Sequence, residues 1–259
     1  MTQTSYSLNP DSLKLGSLSY VGEPYSALSC DNLTHEVAFG HLVAKTTGAD
    51  LTVEPFTNPN QAQYGVALLD ETVAIDETTT LDNAYPVNSK VGVLKSGYVS
   101  VKVDQTIVSG DAVYARHSST LAVQTIVFSA DIVASNSIAC SVNGDALTAT
   151  VYATSNAATL TAFAAKIEAH EDVLTAVSDG THTITVTSVS AVAITFTGPT
   201  VTLGASQATA TITTTVAGVA GDQGVFRKDS DSNKASLVSG AEFITSASSG
   251  GLAVLKVSL

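Results

Sequence analysis

The sequence predicts a mainly β protein, a discontinuous β-rich body carrying a small inserted α+β domain, and three observations lead there. First, the 259 residues are dominated by Val, Ala, Thr and Ser, with 6% aromatic residues and no Trp, a composition that suits pleated sheets. Second, short apolar runs alternate with Gly, Asp, Asn and Ser turn residues over most of the chain. Third, Lys, Arg and Pro thin out near Ser118 and the earlier character returns after Val219, which sets 118–219 apart as a second domain.

Residues 1–34 hold Tyr6, Tyr20 and Tyr25 among Ser, Leu, Asn, Pro and Gly, with no sustained period of two or 3.6. This reads as an extended arm, which must lie along its own body or along a partner to be ordered. Strand-length runs follow at 37–43, 65–69, 91–94, 98–103 and 112–115. In Tyr98-Val99-Ser100-Val101-Lys102-Val103 the valines share one face and Ser100 and Lys102 the other, the pattern of a half-buried strand. Ser109-Gly110-Asp111 supplies a turn.

Inside the second domain, runs at 138–142 and 146–152 flank Asn143-Gly144, and runs at 174–177 and 182–187 flank Asp179-Gly180. Both dipeptides favour the positive φ angles of tight hairpins. Between them Leu160, Phe163, Ala164 and Ile167 fall on one helical face, with Ser155 or Asn156 as N-cap. The expected unit is β-β-α-β-β, one helix closing one small antiparallel sheet, with further strands at 191–196 and 209–216. The body resumes with Gly224-Val225-Phe226-Arg227, a polar loop at 229–234 and a last strand at 252–259. Strands near 113–116 and 225–227 are expected to pair as a hairpin, with the insertion at its tip.

The balance of 23 acidic against 11 basic residues, net −12, offers no basic patch to nucleic acid and is repelled by an anionic membrane. Neither partner is expected. No apolar run approaches the roughly 20 residues of a membrane helix, and the N-terminus lacks the features of a secretory signal, so a soluble, unexported protein is expected. The two cysteines, Cys30 and Cys140, read as free and reduced. The nucleotide-binding, zinc-protease, redox and nucleophile-elbow motifs are missing, and the five histidines are scattered. No catalytic residue, cofactor or metal is expected. Asp229-Ser230-Asp231-Ser232-Asn233 begins like a calcium loop but has Lys234 and Gly240 where Gly and Glu belong; a solvated turn is the better reading. Asp70-Glu71 and Asp76-Glu77 read as solubilising charge, and Asn32-Leu33-Thr34 as a glycosylation acceptor without a route to the machinery.

Four stretches carry a family likeness: Tyr20-Val21-Gly22-Glu23-Pro24; Val37-Ala38-Phe39-Gly40; Gly92-Val93-Leu94 through Gly97-Tyr98-Val99-Ser100-Val101 to Ser109-Gly110-Asp111-Ala112-Val113-Tyr114; and the C-terminal Gly240 to Ala247 with Gly250 to Val254. In order and spacing this resembles the structural cement, or head decoration, proteins of tailed bacteriophages. The likeness spans most of 20–117 and 220–259 and leaves 118–219 unaccounted for. The resemblance implies a barrel- or tulip-like capsid-binding body with the insertion projecting outward. It also implies a non-enzymatic role on the outer capsid surface of the virion after synthesis in the host cytoplasm. The implied partner is the major capsid protein, whose neighbouring subunits are held together by a homo-oligomer, most often a trimer. Capsid-contact candidates are Tyr6, Tyr20, Tyr25 and Phe39, since amphipathic aromatics bury area at modest entropic cost; Phe39 reads equally well as core. Residues 1–34 are expected to order on the capsid, adding a strand to a sheet edge. Two alternatives stay open: a bacterial surface or adhesin-like β-protein, and a glycan-binding module.

Overall fold

Why one strand dominates the body follows from its neighbours on both edges. The computed structural model describes residues 14–19, 24–70, 83–202 and 208–259, and these divide into two compact units. The first is drawn from Met1–Thr57, Gln61–His117 and Asp222–Leu259, the second from Asn58–Asn60 and Ser118–Gly221.

The first unit begins with β1 (Ser26–Asn32), β2 (Val37–Ala38), β3 (Leu42–Lys45), β4 (Val53–Pro55), β5 (Gln63–Ala67), β6 (Ala84–Tyr85), β7 (Ser89–Lys102) and β8 (Tyr114–Arg116). Strands β1, β7, β5, β3 and β4 pair antiparallel in that order. The Asp31 amide then donates to the Leu51 carbonyl at 2.7 Å, and Asp31 bridges Thr52 beside β4, so the ring closes into a small barrel. Cys30, Val43, Val53, Ala67, Val91 and Val93, from all five strands, meet inside with Val37, Phe39 and Tyr85. The alternate residues Leu42, Ala44, Val66 and Leu94 pack in a second cluster with Phe56, Val99, Val101, Phe226, Phe243 and Leu255. Gly65 permits the β5–β7 approach, because a Cβ there would stand 2.5 Å from the Leu94 carbonyl oxygen.

Several sequence expectations shift here. The run 37–43 breaks at Gly40, whose φ of +68° turns the chain between β2 and β3. The runs at 91–94 and 98–103 fuse into the single fourteen-residue β7. Ser100, assigned to a wet face, is wholly buried, because residues 16–19 lie along β7. Gly16 N donates to Ser100 O and Ser100 N to Ser17 O at 2.8 and 2.9 Å, and the Ser19 and Ser100 hydroxyls share a 2.7 Å hydrogen bond. The described part of the arm thus runs along its own sheet. The 108–111 turn is closed by the Asp111 carboxylate accepting from Val108 N at 2.8 Å.

The second unit holds β9 (Val123–Phe128), β10 (Ser137–Val142), β11 (Asp145–Ala146), β12 (Thr150–Val151), α1 (Asn156–Glu168), β13 (Val173–Ser178), β14 (Thr183–Ser188), β15 (Phe196–Thr202) and β16 (Ala210–Val216). Ser155 caps α1, its hydroxyl accepting from Ala158 N, and Leu160, Phe163, Ala164 and Ile167 are all buried. Phe163 meets Phe128 edge to face at 6.2 Å. The layout differs from the expected single sheet. There are two four-stranded sheets, one joining β11, β10, β12 and β15, the other in the order β13-β14-β9-β16. The stretch 123–128 is a strand that the turn-based reading passed over, since no turn dipeptide flags it, and 191–195 is not strand. Asn143 and Gly144 take positive φ as expected, at 48° and 97°. Asp179 works differently, its carboxylate accepting from the amides of Thr181, His182 and Thr183.

The chain returns to the first unit with β17 (Phe226–Arg227), β18 (Ala235–Leu237), β19 (Ala241–Phe243) and β20 (Leu252–Ser258). β17 and β18 flank β8 in a three-stranded ribbon, so 114–116 and 226–227 do pair antiparallel. β20 lines the second half of β7.

Candidate interaction surface

At the end of β1, the Asp31–Asn32 backbone gathers loops that precede β4 and β7. The Asp31 amide takes the Leu51 carbonyl, and the buried Asn32 donates its side-chain amide to the Pro86 carbonyl at 3.2 Å. Three apolar side chains stand in water on these loops: Leu33 at 54%, Leu51 at 50% and Val87 at 42% exposure. Leu51 has φ of +50°, a left-handed conformation that costs a β-carbon residue about 1–2 kcal/mol. An exposed leucine held in that conformation gains nothing from burial within this chain, the kind of outlier that clusters at ligand clamps. A sequence scan misses the group, because three isolated apolar residues in separate polar loops have no period.

Of the sequence-derived contact candidates, Tyr6 and Tyr20 lie outside the described residues. Tyr25 is 61% exposed at the start of β1, across from Gly97, where an added Cβ would stand 2.9 Å from that of Tyr25. Phe39 is 6% exposed, meeting Tyr85 edge to face at 4.9 Å; the Tyr85 hydroxyl in turn donates to Leu68 O at 2.9 Å. The structure therefore brings Tyr25 to the surface and places Phe39 in the barrel core.

The loop 229–234, read from sequence as a solvated turn, is a turn with Asp229, Ser232 and Asn233 exposed. Its carboxylates pair with Arg116 and Arg227, the only two arginines in the chain. Asp231 reaches both guanidinium groups at 2.9 Å, Asp229 reaches Arg227 at 3.0 Å, and Asp104 joins from the segment after β7 at 2.7 Å from Arg116. Burial works against the Asp231 charge, but the two arginines together hold its carboxyl below the usual range. The signal was available in principle: in a chain with so few cations, Arg116 falls two residues before the composition change at Ser118 and Arg227 eight residues after Val219.

Beside this cluster His117 is buried, edge-on to Phe56 at 6.1 Å. Desolvation pushes its pKa down to about 4, so it is neutral at pH 7. Both thiols are free and buried, and burial raises Cys140 to about 11, which leaves it protonated and unreactive. Among the described residues no group of three or more His, Cys, Asp or Glu side chains could hold a metal ion, and no helix is long and apolar enough to cross a membrane.

A family model described as structural cement protein (E217 gp24/Pam3 gp6) matches residues 2–168. The chain belongs to that family. It is a bacteriophage structural protein of β-rich build. The match continues through 118–168, part of the insertion that the sequence resemblance left aside, and does not extend to 220–259. A search of curated proteins finds no match. Among solved structures, a chain from "The capsid of Myoviridae Phage XM1" aligns at 10% identity over 98% of this chain and 96% of its own, with a TM-score of 0.46. A chain from "Mycobacterium phage Patience" aligns at 16% identity over 92% of each, with a TM-score of 0.25.

Proposed function

We propose that this cement protein binds the outer surface of a phage capsid and holds neighbouring major-capsid subunits together, as a homo-oligomer and by resemblance a trimer. The role is mechanical and needs no chemical step. The observation that carries the reading is membership of the structural cement family. The exposed apolar group Leu33, Leu51 and Val87, with Tyr25 at the other end of β1, supports a contact surface on the barrel. Exposed apolar side chains become favourable only when a partner covers them, and the chain's net charge of −12 discourages random self-association.

Co-sedimentation with undecorated capsids of the source phage tests this, together with light scattering for the oligomer. A saturating ratio to capsid subunits is expected, with decorated particles surviving heat or osmotic shock better than bare ones; no association at any salt concentration would overturn the proposal. Leu51→Gly sharpens it. Glycine relieves the left-handed strain, so the isolated protein should hold or gain up to about 1 kcal/mol, while capsid affinity falls by about tenfold through loss of a central apolar contact. Unchanged affinity would move the contact surface elsewhere. The arm is tested by removing residues 1–13 only, because a cut at 34 would strip β1 from the barrel.

A further inference from the structure

Sheet edges are where a β protein stays open to further pairing, because an unpaired strand presents a row of free amides and carbonyls. Among the described residues most edges are short, charged or broken. β19 has three residues and carries Glu242, and β4 carries Glu54 and Pro55. β11, β12, β17 and β18 have two or three residues each, and β15 is interrupted by Pro199. β13, at one end of the β13-β14-β9-β16 sheet, lies between Asp172 and Asp179. β16, at the other end, has none of these guards. Its seven residues hold no charge and no proline, and no described strand pairs along its outer edge. A bridge from Thr200 to Thr209 stops one residue before the strand begins.

The surroundings of this edge are uncharged as well. Between Asp179 and Asp222 the chain has no Asp, Glu, Lys or Arg, and β9 adds none. The row Val177, Thr185, Thr125 and Thr213 crosses the whole sheet in register without a charge. A chain of net charge −12 repels its own copies wherever carboxylates meet, so an uncharged edge is where two copies come together at least cost. The direction of the free backbone groups follows from their neighbours. The Thr209 amide donates to the Ser129 hydroxyl at 2.9 Å, its carbonyl accepts from the Ser129 amide at 2.9 Å, and the Thr213 carbonyl accepts from the Thr125 hydroxyl at 3.5 Å. The odd-numbered residues thus turn their backbone to β9, and alternation leaves the amides and carbonyls of Ala210, Ile212 and Thr214 facing outward. Pairing with β9 is regular over 210–214 and shifts register only after Thr214.

We propose that β16 pairs antiparallel with β16 of a second copy of this chain, about a two-fold axis at Ile212. Such an interface uses the same patch on both copies. Ile212 then exchanges hydrogen bonds with its own counterpart, and Ala210 with Thr214 of the second copy, which satisfies every outward backbone group of the regular stretch. Thr211 stands opposite Thr213, a threonine pair of the kind that supports neighbouring strands. Two four-stranded sheets become one of eight strands. A seven-residue edge buries far less than the about 1,200 Å² of a stable interface, so the pairing is weak in dilute solution and takes hold where copies are crowded. It stands independently of the capsid-binding reading, because concentration alone supplies the crowding.

Sedimentation of the full chain from micromolar to millimolar concentration tests the pairing. The mass should double at the upper end, starting from whatever oligomer the barrel unit forms. Thr214→Pro removes an outward amide that β9 does not use, so the pair loses two backbone hydrogen bonds and associates about thirtyfold more weakly. Should that variant fail to fold, Thr211→Lys combined with Thr213→Lys sets like charges opposite each other and makes the same demand. Both native thiols are buried, so an added surface cysteine is the reactive one. Thr211→Cys mixed with Thr213→Cys under a mild oxidant should cross-link, because residues facing each other at a non-hydrogen-bonded position stand about 4.5 Å apart at Cα, a distance a disulfide spans. Either variant alone should not. A mass that never doubles, a doubling that survives the disrupting variant, or cross-linking as strong for one cysteine variant alone as for the mixture would overturn the proposal.

Discussion

Strands β7 and β16 are made of similar β-forming residues and end in opposite surroundings. β7 is paired on both edges, by β1 and β5 over its first half and by residues 16–19 and β20 over its second. Its Val91, Val93, Leu94, Val99 and Val101 are all wholly buried. β16 ends its sheet, and Thr213, Thr214, Thr215 and Val216 are exposed on both faces. The lesson is that β-propensity selects a strand, while burial on its faces and pairing at its edges decide what a substitution there costs.

That contrast can be broken by measurement. Leu94→Ala should have the largest effect, about 2–5 kcal/mol in urea unfolding followed on the first unit, because the barrel wall cannot collapse around the cavity. A loss below 1 kcal/mol would mean the wall is not packed as described. An intermediate effect is expected at the helix of the second unit: Ser155→Ala removes the acceptor for Ala158 N and should cost about 1 kcal/mol, read as a shift of that unit's thermal midpoint. Thr213→Ala on β16 should change stability by less than about 0.5 kcal/mol. A larger loss would show that the exposed strand is covered in solution, and the contrast with β7 would then disappear.

Much of the local structure is legible because its signals are short-range. The spacing of Leu160, Phe163, Ala164 and Ile167, the Ser155 cap, the Asn143-Gly144 turn and the pairing of 114–116 with 226–227 each depend on residues whose types state the backbone's options. Ser100 is different. Its alternation with Val99 and Val101 marks a half-buried strand, and only residues 16–19, more than eighty positions away, turn its face into core. Val123–Phe128 has a strand's composition but no flanking turn dipeptide, so it passes unseen until β14 and β16 are found on its two sides. Contact candidates follow the same division. Tyr25 and Phe39 are both aromatics near the arm, and nothing in their local sequence separates the exposed one from the buried one. Leu33, Leu51 and Val87 gain meaning only once Asp31 and Asn32 bring their loops together.

What the sequence determined alone is the class of protein: β-branched composition and period-two runs make strands, one helical stripe makes one helix, and the acid excess sets the charge. Its composition also changes near Ser118 and again after Val219. The tertiary structure decided which strands close the barrel, that the insertion is built on two sheets rather than one, and that Asp229 and Asp231 pair with the two arginines. The physical reason is range. Propensity, capping and turn geometry act within a few residues and can be read in order, whereas ring closure, burial and ion pairing join residues such as Asp31 and Thr52, or Asp104 and Arg227, whose proximity no local pattern encodes.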